Sequence, residues 1–105
     1  MKKNIVRVGR YKLRTIHVHA YTWFDKTYGN PYFAVRITIN WNMPSEKEII
    51  IPMQYGSDPT YAAVQEVWNY LGRSEYITPI KLSDYGIRVY STKSKVSYKE
   101  LKAIR

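Results

Sequence analysis

Residues Tyr21 to Trp41 read Tyr-Thr-Trp-Phe-Asp-Lys-Thr-Tyr-Gly-Asn-Pro-Tyr-Phe-Ala-Val-Arg-Ile-Thr-Ile-Asn-Trp, and seven of these 21 residues are aromatic. Phe33, Val35, Ile37, Ile39 and Trp41 fall on one side of a period-2 repeat. Tyr32, Ala34, Arg36, Thr38 and Asn40 fall on the other. Side chains alternate across a strand, so this pattern predicts a strand with Phe33 to Trp41 turned to a core. Gly29-Asn30-Pro31 precedes it, and Gly and Asn tolerate the positive φ of tight turns. Thr15 to Phe24 reads as a second strand. The two form a β-hairpin with an aromatic tip, Asp25 to Pro31.

Lys3 to Val8 reads as a short strand, and Gly9-Arg10 suits a type II′ turn into a strand from Tyr11. Arg10, Lys12 and Arg14 share parity with Ile16, Val18 and Ala20, so the buried side must change near residue 15, as at a bulge. On the other flank, Asn42-Met43-Pro44-Ser45 is a turn and Glu48 to Met53 a strand. The consecutive Ile49, Ile50 and Ile51 point to burial on both its faces. Asp58 is a good N-cap and Pro59 suits the first helical position. Tyr61, Val64, Trp68 and Leu71 follow helical spacing, which predicts a helix over 59–71 packed through those four residues, with Gly72 closing it. Arg73 to Tyr85 reads as irregular, with Pro79 as a breaker. Gly86 to Ser91 is a further strand, and Ser97 with Glu100 forms a capping box that predicts a short C-terminal helix. The expected fold is α+β: an antiparallel sheet of four or five strands with one main helix on one face.

The chain has 105 residues, which predicts a single domain, 1–105. A chain of this size buries roughly 65% of its unfolded surface, enough for a core without staples. There is no cysteine, which excludes disulfides and thiolate metal sites. Arg7 and Arg10 interrupt the N-terminal stretch before any apolar run, so it does not read as a signal peptide, and no window is apolar enough to span a membrane. The expectation is a soluble cytoplasmic protein with no membrane partner. Eleven tyrosines and few glutamines hint at a thermostable protein.

The net charge of +9 is unevenly laid out. Residues 1–14 carry six basic and no acidic side chains, residues 81–105 a net of +5, and residues 15–80 a net of −2. A solvated face accounts for any one lysine. Basic chain ends around a slightly acidic middle point to nucleic acid or another polyanion. Lys12, Arg14, Arg88, Lys93 and Lys95 are the expected contacts.

The stretch Trp23-Phe24-Asp25-Lys26-Thr27-Tyr28-Gly29-Asn30-Pro31-Tyr32 resembles a group of small uncharacterised proteins from phages, plasmids and archaeal viruses. These carry a Trp-Phe-(Asp/Gln)-x-x-x-Gly-Asn-x-Tyr stretch running into a strand. Gln54-Tyr55-Gly56-Ser57-Asp58 resembles the connector into their helix. Gly86-Ile87-Arg88-Val89 and Val96-Ser97-Tyr98-Lys99-Glu100-Leu101 resemble their closing strand and tail. The chain departs from the pattern at Pro31, where Thr is expected, and in its basic ends. The resemblance implies a viral or mobile-element accessory protein, cytoplasmic in the host cell, and implies no catalytic residue.

Chemistry-bearing residues are few. His17 and His19 project to one strand face, where two imidazoles can share a metal. A His-hydrophobic-His strand resembles the metal site of nickases that cut single-stranded DNA, and Tyr98 followed by Lys102 is the nearest match to their nucleophile. Two histidines on a sheet face are more often packing or rim residues, and a structural role is the expectation here. Phosphate-cradling loops, nucleophile elbows and zinc-protease helices are missing. Neither a cofactor nor a small-molecule substrate is indicated. Trp23, Phe24 and Tyr28, beside Lys26, can stack unpaired bases, cover the end of a core, or form a homodimer or host-factor contact. The expected function is therefore non-enzymatic polyanion binding through the basic ends. A protein-interaction module and a metal-dependent nickase are the alternatives.

Overall fold

In the computed structural model, which describes residues 5–104, the alternating stretch is one half of a long hairpin at the centre of the sheet. Strand β3 (Thr15–Asp25) pairs antiparallel with β4 (Asn30–Ile39), from Ile16 opposite Ile39 to Asp25 opposite Asn30. The tip is shorter than the sequence suggests, because Asn30 and Pro31 already belong to β4. Asp25 fixes it: its carboxylate accepts from the backbone N–H of Thr27 at 2.9 Å, and Gly29 takes φ 69°. Strand β5 (Lys47–Tyr55) continues the antiparallel meander beside β4, with a register shift between Phe33 and Val35.

Before the hairpin, β1 (Arg7–Val8) and β2 (Tyr11–Lys12) form their own two-stranded ribbon around Gly9, at φ 63°. Residues 3 and 4 of the expected first strand lie outside the described residues. Leu13 and Ile16 are both buried, so the buried parity changes between β2 and β3, near the point where the sequence called for a bulge.

Helix α1 (Pro59–Tyr70) runs from the Asp58 cap to Leu71, with Gly72 beyond it at φ 83°. Its buried face is Pro59, Ala63, Val64, Val67 and Trp68. The expected contact through Tyr61 is corrected: Tyr61 is 39% exposed, because the apolar stripe centres on Ala63 and Val67. Leu71 packs only at the margin of the core. A second correction concerns Pro79. It does not break structure but opens a short helix, α2 (Pro79–Ser83), whose cap Thr78 accepts from the N–H of Lys81 at 3.1 Å.

The last strand, β6 (Arg88–Lys95), is longer than expected and joins β3 in parallel, from Thr15 beside Arg88 to Thr22 beside Lys95. The sheet order is β5-β4-β3-β6, so the expected antiparallel sheet is three antiparallel strands with a parallel fourth at the edge. The chain crosses from β5 to that edge through α1 and α2, and a crossover of this kind is what a parallel neighbour requires. Helix α3 (Tyr98–Lys102) follows, with the Ser97–Glu100 capping box in place.

The two faces of the sheet are covered at opposite ends. On one face Ile16, Val18, Val35, Ile37, Ile39 and Ile51 pack against α1. On the other, Tyr21, Trp23, Ala34 and Ile50 pack against Leu101 and Ile104, at and just beyond α3, near the hairpin tip. Ile49 and Ile51 belong to the first cluster and Ile50 to the second, so the isoleucine run is packed on both faces as expected.

Candidate nucleic-acid interface

The basic ends meet beside Arg14 and Arg88. The backbone N–H of Arg88, at the start of β6, donates to the carbonyl of Arg14 at 3.0 Å. Lys12 is on β2, two residues before Arg14. Lys93 and Lys95 lie five and seven residues further along β6, and at about 3.3 Å per residue Lys95 is about 23 Å from Arg88. By register Lys93 and Lys95 share the α1 face with Ala20 and Thr22, whereas Arg88 shares the opposite face with Thr15. Arg88, Lys93 and Lys95 therefore lie along one sheet edge but on both its faces, with Arg14 beside the start of β6 and Lys12 on the separate β1–β2 ribbon. Lysines on an edge strand also discourage edge-to-edge pairing, which accounts for their presence without any ligand.

Lys95 does not stand alone. Pairing of β6, β3 and β4 places Lys95, Thr22 and Phe33 on one rung. Beyond that rung the hairpin tip opens into a cleft of about 520 Å³ lined by Phe24, Phe33 and Pro59 on the α1 face, with Lys26 and Lys95 also on its wall, and bordered by Trp23 and Tyr32, which alternation assigns to the other face. Phe24 is 55% exposed there. Gly56 forms part of the wall beside Phe33. Its φ of 149° and a 2.8 Å approach of any added Cβ to the Phe33 ring leave room for glycine alone. The structure thus brings Lys95 from the basic end together with Trp23 and Phe24 from the aromatic tip. Tyr28 sits exposed on the tip itself, outside the cleft lining. Trp23 has a packing role as well: its ring lies 4.9 Å from Tyr98 and 5.7 Å from Tyr32.

His17 and His19 do share the face opposite α1, but their partners are aromatic and hydroxylic. The ring of His17 stacks on Tyr90 at 4.8 Å and 17°, and Trp41 is tilted against it at 5.7 Å. The Nδ1 of His17 is buried with no hydrogen-bond partner. His19 Nδ1 lies 3.1 Å from the Thr92 hydroxyl. Among the described residues, no group of three or more His, Asp or Glu side chains could hold a metal ion. Tyr98 packs on Trp23, four residues up β3 from His19, about 13 Å along the strand. The parts of a nickase are thereby held apart. Lys102 instead sits over the Tyr98 ring at 5.1 Å.

Trp41 departs furthest from the period-2 alternation. It was expected in the core with Phe33 to Ile39, yet it is 58% exposed and meets His17 on the other face. Asn40 is the reason. It adopts φ 51°, which ends the strand and breaks the alternation. Its buried side chain holds the turn: Oδ1 accepts from Arg14 N at 2.7 Å, and Nδ2 donates to the Lys12 carbonyl at 3.0 Å and to Ser45 Oγ at 2.8 Å. Asn is one of the few residues that tolerates this conformation, which was the available signal.

No family model, curated protein or solved structure matches the chain. The likeness to phage, plasmid and archaeal-virus proteins rests on the quoted residues alone. Among the described residues no helix is long and apolar enough to cross a membrane.

Proposed function

We propose that this protein is a non-enzymatic nucleic-acid-binding accessory protein of a virus or mobile element, and that the β6 edge with the hairpin-tip cleft is its contact surface. The observation that carries the reading is the cleft. Lys26 and Lys95 border aromatic walls in one concave site, the combination that holds a phosphate beside a stacked base. Lys93 extends the same side of β6. Arg88 and Arg14 continue the positive charge toward the far end of the sheet. Lysine contacts of this kind act by releasing condensed counterions, so affinity should fall with salt.

The test is a salt titration of binding to labelled oligonucleotides. Replacing Lys93 and Lys95 together by Gln should flatten the slope of log affinity against log salt by roughly 1.4 on a single strand, about 0.7 per phosphate contact. Replacing Lys12 and Arg14 should flatten it by a similar amount. A salt-independent response in the unmodified protein defeats this reading. Trp23, Phe24 and Tyr28 would then be tested as a protein-interaction or self-association surface.

A further inference from the structure

The face opposite α1 is uncovered where α3 does not reach, and the residues there are not ordinary solvent-facing side chains. Trp41, His17 and Tyr90 form a row of rings across the end of β4, β3 and β6. One face of Tyr90 lies on His17. Its other face therefore points away from the sheet, toward the β6 edge, where Tyr90 and Arg88 line an open hollow with Pro79, Ile80 and Ser83 of α2, and the residue is 45% exposed. Arg88 is on the same face of β6, two residues before Tyr90, and its backbone is bonded to that of Arg14. Across β3, Arg36 lies opposite His19. Its only acidic neighbour by ion-pair distance among the described residues is Glu48, at 4.0 Å. An aromatic row edged by arginines complements stacked bases with phosphates beside them.

We infer that this ring row is a second contact for single-stranded nucleic acid, and that one strand crosses the β6 edge to reach both it and the hairpin-tip cleft. The inference rests on the nucleic-acid reading above and narrows its ligand. The two sites lie on opposite faces of the sheet, at opposite ends of β6. A duplex is stiff over about 150 base pairs and cannot fold around a sheet edge at this scale. A single strand can, and its bases are already available for stacking. Two linked contacts of this kind reinforce each other through effective concentration, so loss of either weakens the whole.

The experiment is fluorescence anisotropy with oligothymidine of about 12 nucleotides, within the span single-strand binders cover, and a duplex of equal length. The protein variants are Trp41→Ala with Tyr90→Ala, the conservative Tyr90→Phe, and Lys93→Gln with Lys95→Gln. The unmodified protein should prefer the single strand. The double aromatic variant should lose about tenfold or more in single-strand affinity, keep its salt slope, and bind duplex as before. Tyr90→Phe should bind normally. Single-strand affinity that survives the aromatic double variant, or a preference for duplex, overturns this inference while leaving salt-dependent binding in place. Absence of salt-dependent binding by the unmodified protein overturns the nucleic-acid reading and this inference with it. Ultraviolet crosslinking of the unmodified chain to oligothymidine gives the same answer without any variant. Crosslinked peptides should include both Phe24 and Tyr90, and crosslinks confined to one of them contradict the crossing strand.

Discussion

The two ends of the sheet differ in which face they bury. At the Ile16–Ile39 end the α1 side is dry: Ile16, Ile37, Ile39, Val64, Val67 and Trp68 are fully enclosed. The opposite side of that end carries exposed rings. At the hairpin tip the arrangement inverts, with Leu101 and Ile104 covering the second face and the α1 face opening into the cleft. Helix α1 covers one end of one face and α3 the opposite end of the other, and the two uncovered ends lie diagonally. Both combine aromatic and basic side chains. The lesson is that this small chain stabilises its sheet from both sides without closing either side completely. What is left open is chemically alike in the two places.

The largest way to break this comparison is Trp68→Ala. The side chain is completely buried, so its loss should cost about 3–5 kcal/mol in a denaturant titration. Trp41→Ala, at the exposed end, should stay within about 0.5 kcal/mol. Equal losses for the two tryptophans would mean that Trp41 is part of a core after all.

Asn40→Ala should come next, at about 3 kcal/mol. It leaves the N–H of Arg14, the carbonyl of Lys12 and the hydroxyl of Ser45 without this partner, and it puts a residue ill suited to positive φ at 51°. The same change should release Trp41 from His17 and alter its fluorescence. A variant as stable as the parent would remove Asn40 as the device that turns Trp41 outward.

Gly56→Ala should cost about 1–3 kcal/mol, because its Cβ would stand 2.8 Å from the buried Phe33 ring. A narrower cleft should follow, with weaker oligonucleotide binding at the tip. Unchanged stability would show that the Phe33 ring yields easily.

The smallest effect concerns α3. The Glu100 carboxyl is held below the usual range by the Ser97 backbone N–H and then by the Ser97 side chain. Its folded value is lower than its unfolded value, so its contribution is full above the ordinary glutamate range. It is lost as pH falls from about 4 through the depressed folded value. Amide protection factors in residues 97–102 should therefore fall selectively in acid, and Glu100→Gln should abolish that selectivity. An equal fall in protection across α1 would point to global unfolding instead.

The hairpin, α1 and the C-terminal capping box were legible because each is written in local pattern: period-2 alternation, Asp58-Pro59, Ser97 with Glu100. Other elements were not, for physical reasons that can be named. Arg-Val-Tyr-Ser-Thr-Lys-Ser-Lys reads as a polar edge strand, and nothing in such a strand states whether its neighbour runs parallel. The pairing of Thr22 with Lys95 depends on that direction, so the meeting of Lys95 with Phe24 was not readable. Trp41 was misplaced because alternation was extended one turn too far, through an asparagine able to leave the strand. Pro79 was read as a breaker when Thr78 before it supplies a cap.

The three tryptophans sample the three environments, so their indole N–H resonances test the central claim most directly. Trp68 is in the core under α1, Trp23 borders the cleft, and Trp41 stands on the opposite face at the far end. On titration with oligothymidine the account predicts that the Trp23 and Trp41 signals move together along one saturation curve while Trp68 stays fixed. A Trp41 signal that remains still as Trp23 saturates, or three signals that do not move at all, would contradict it.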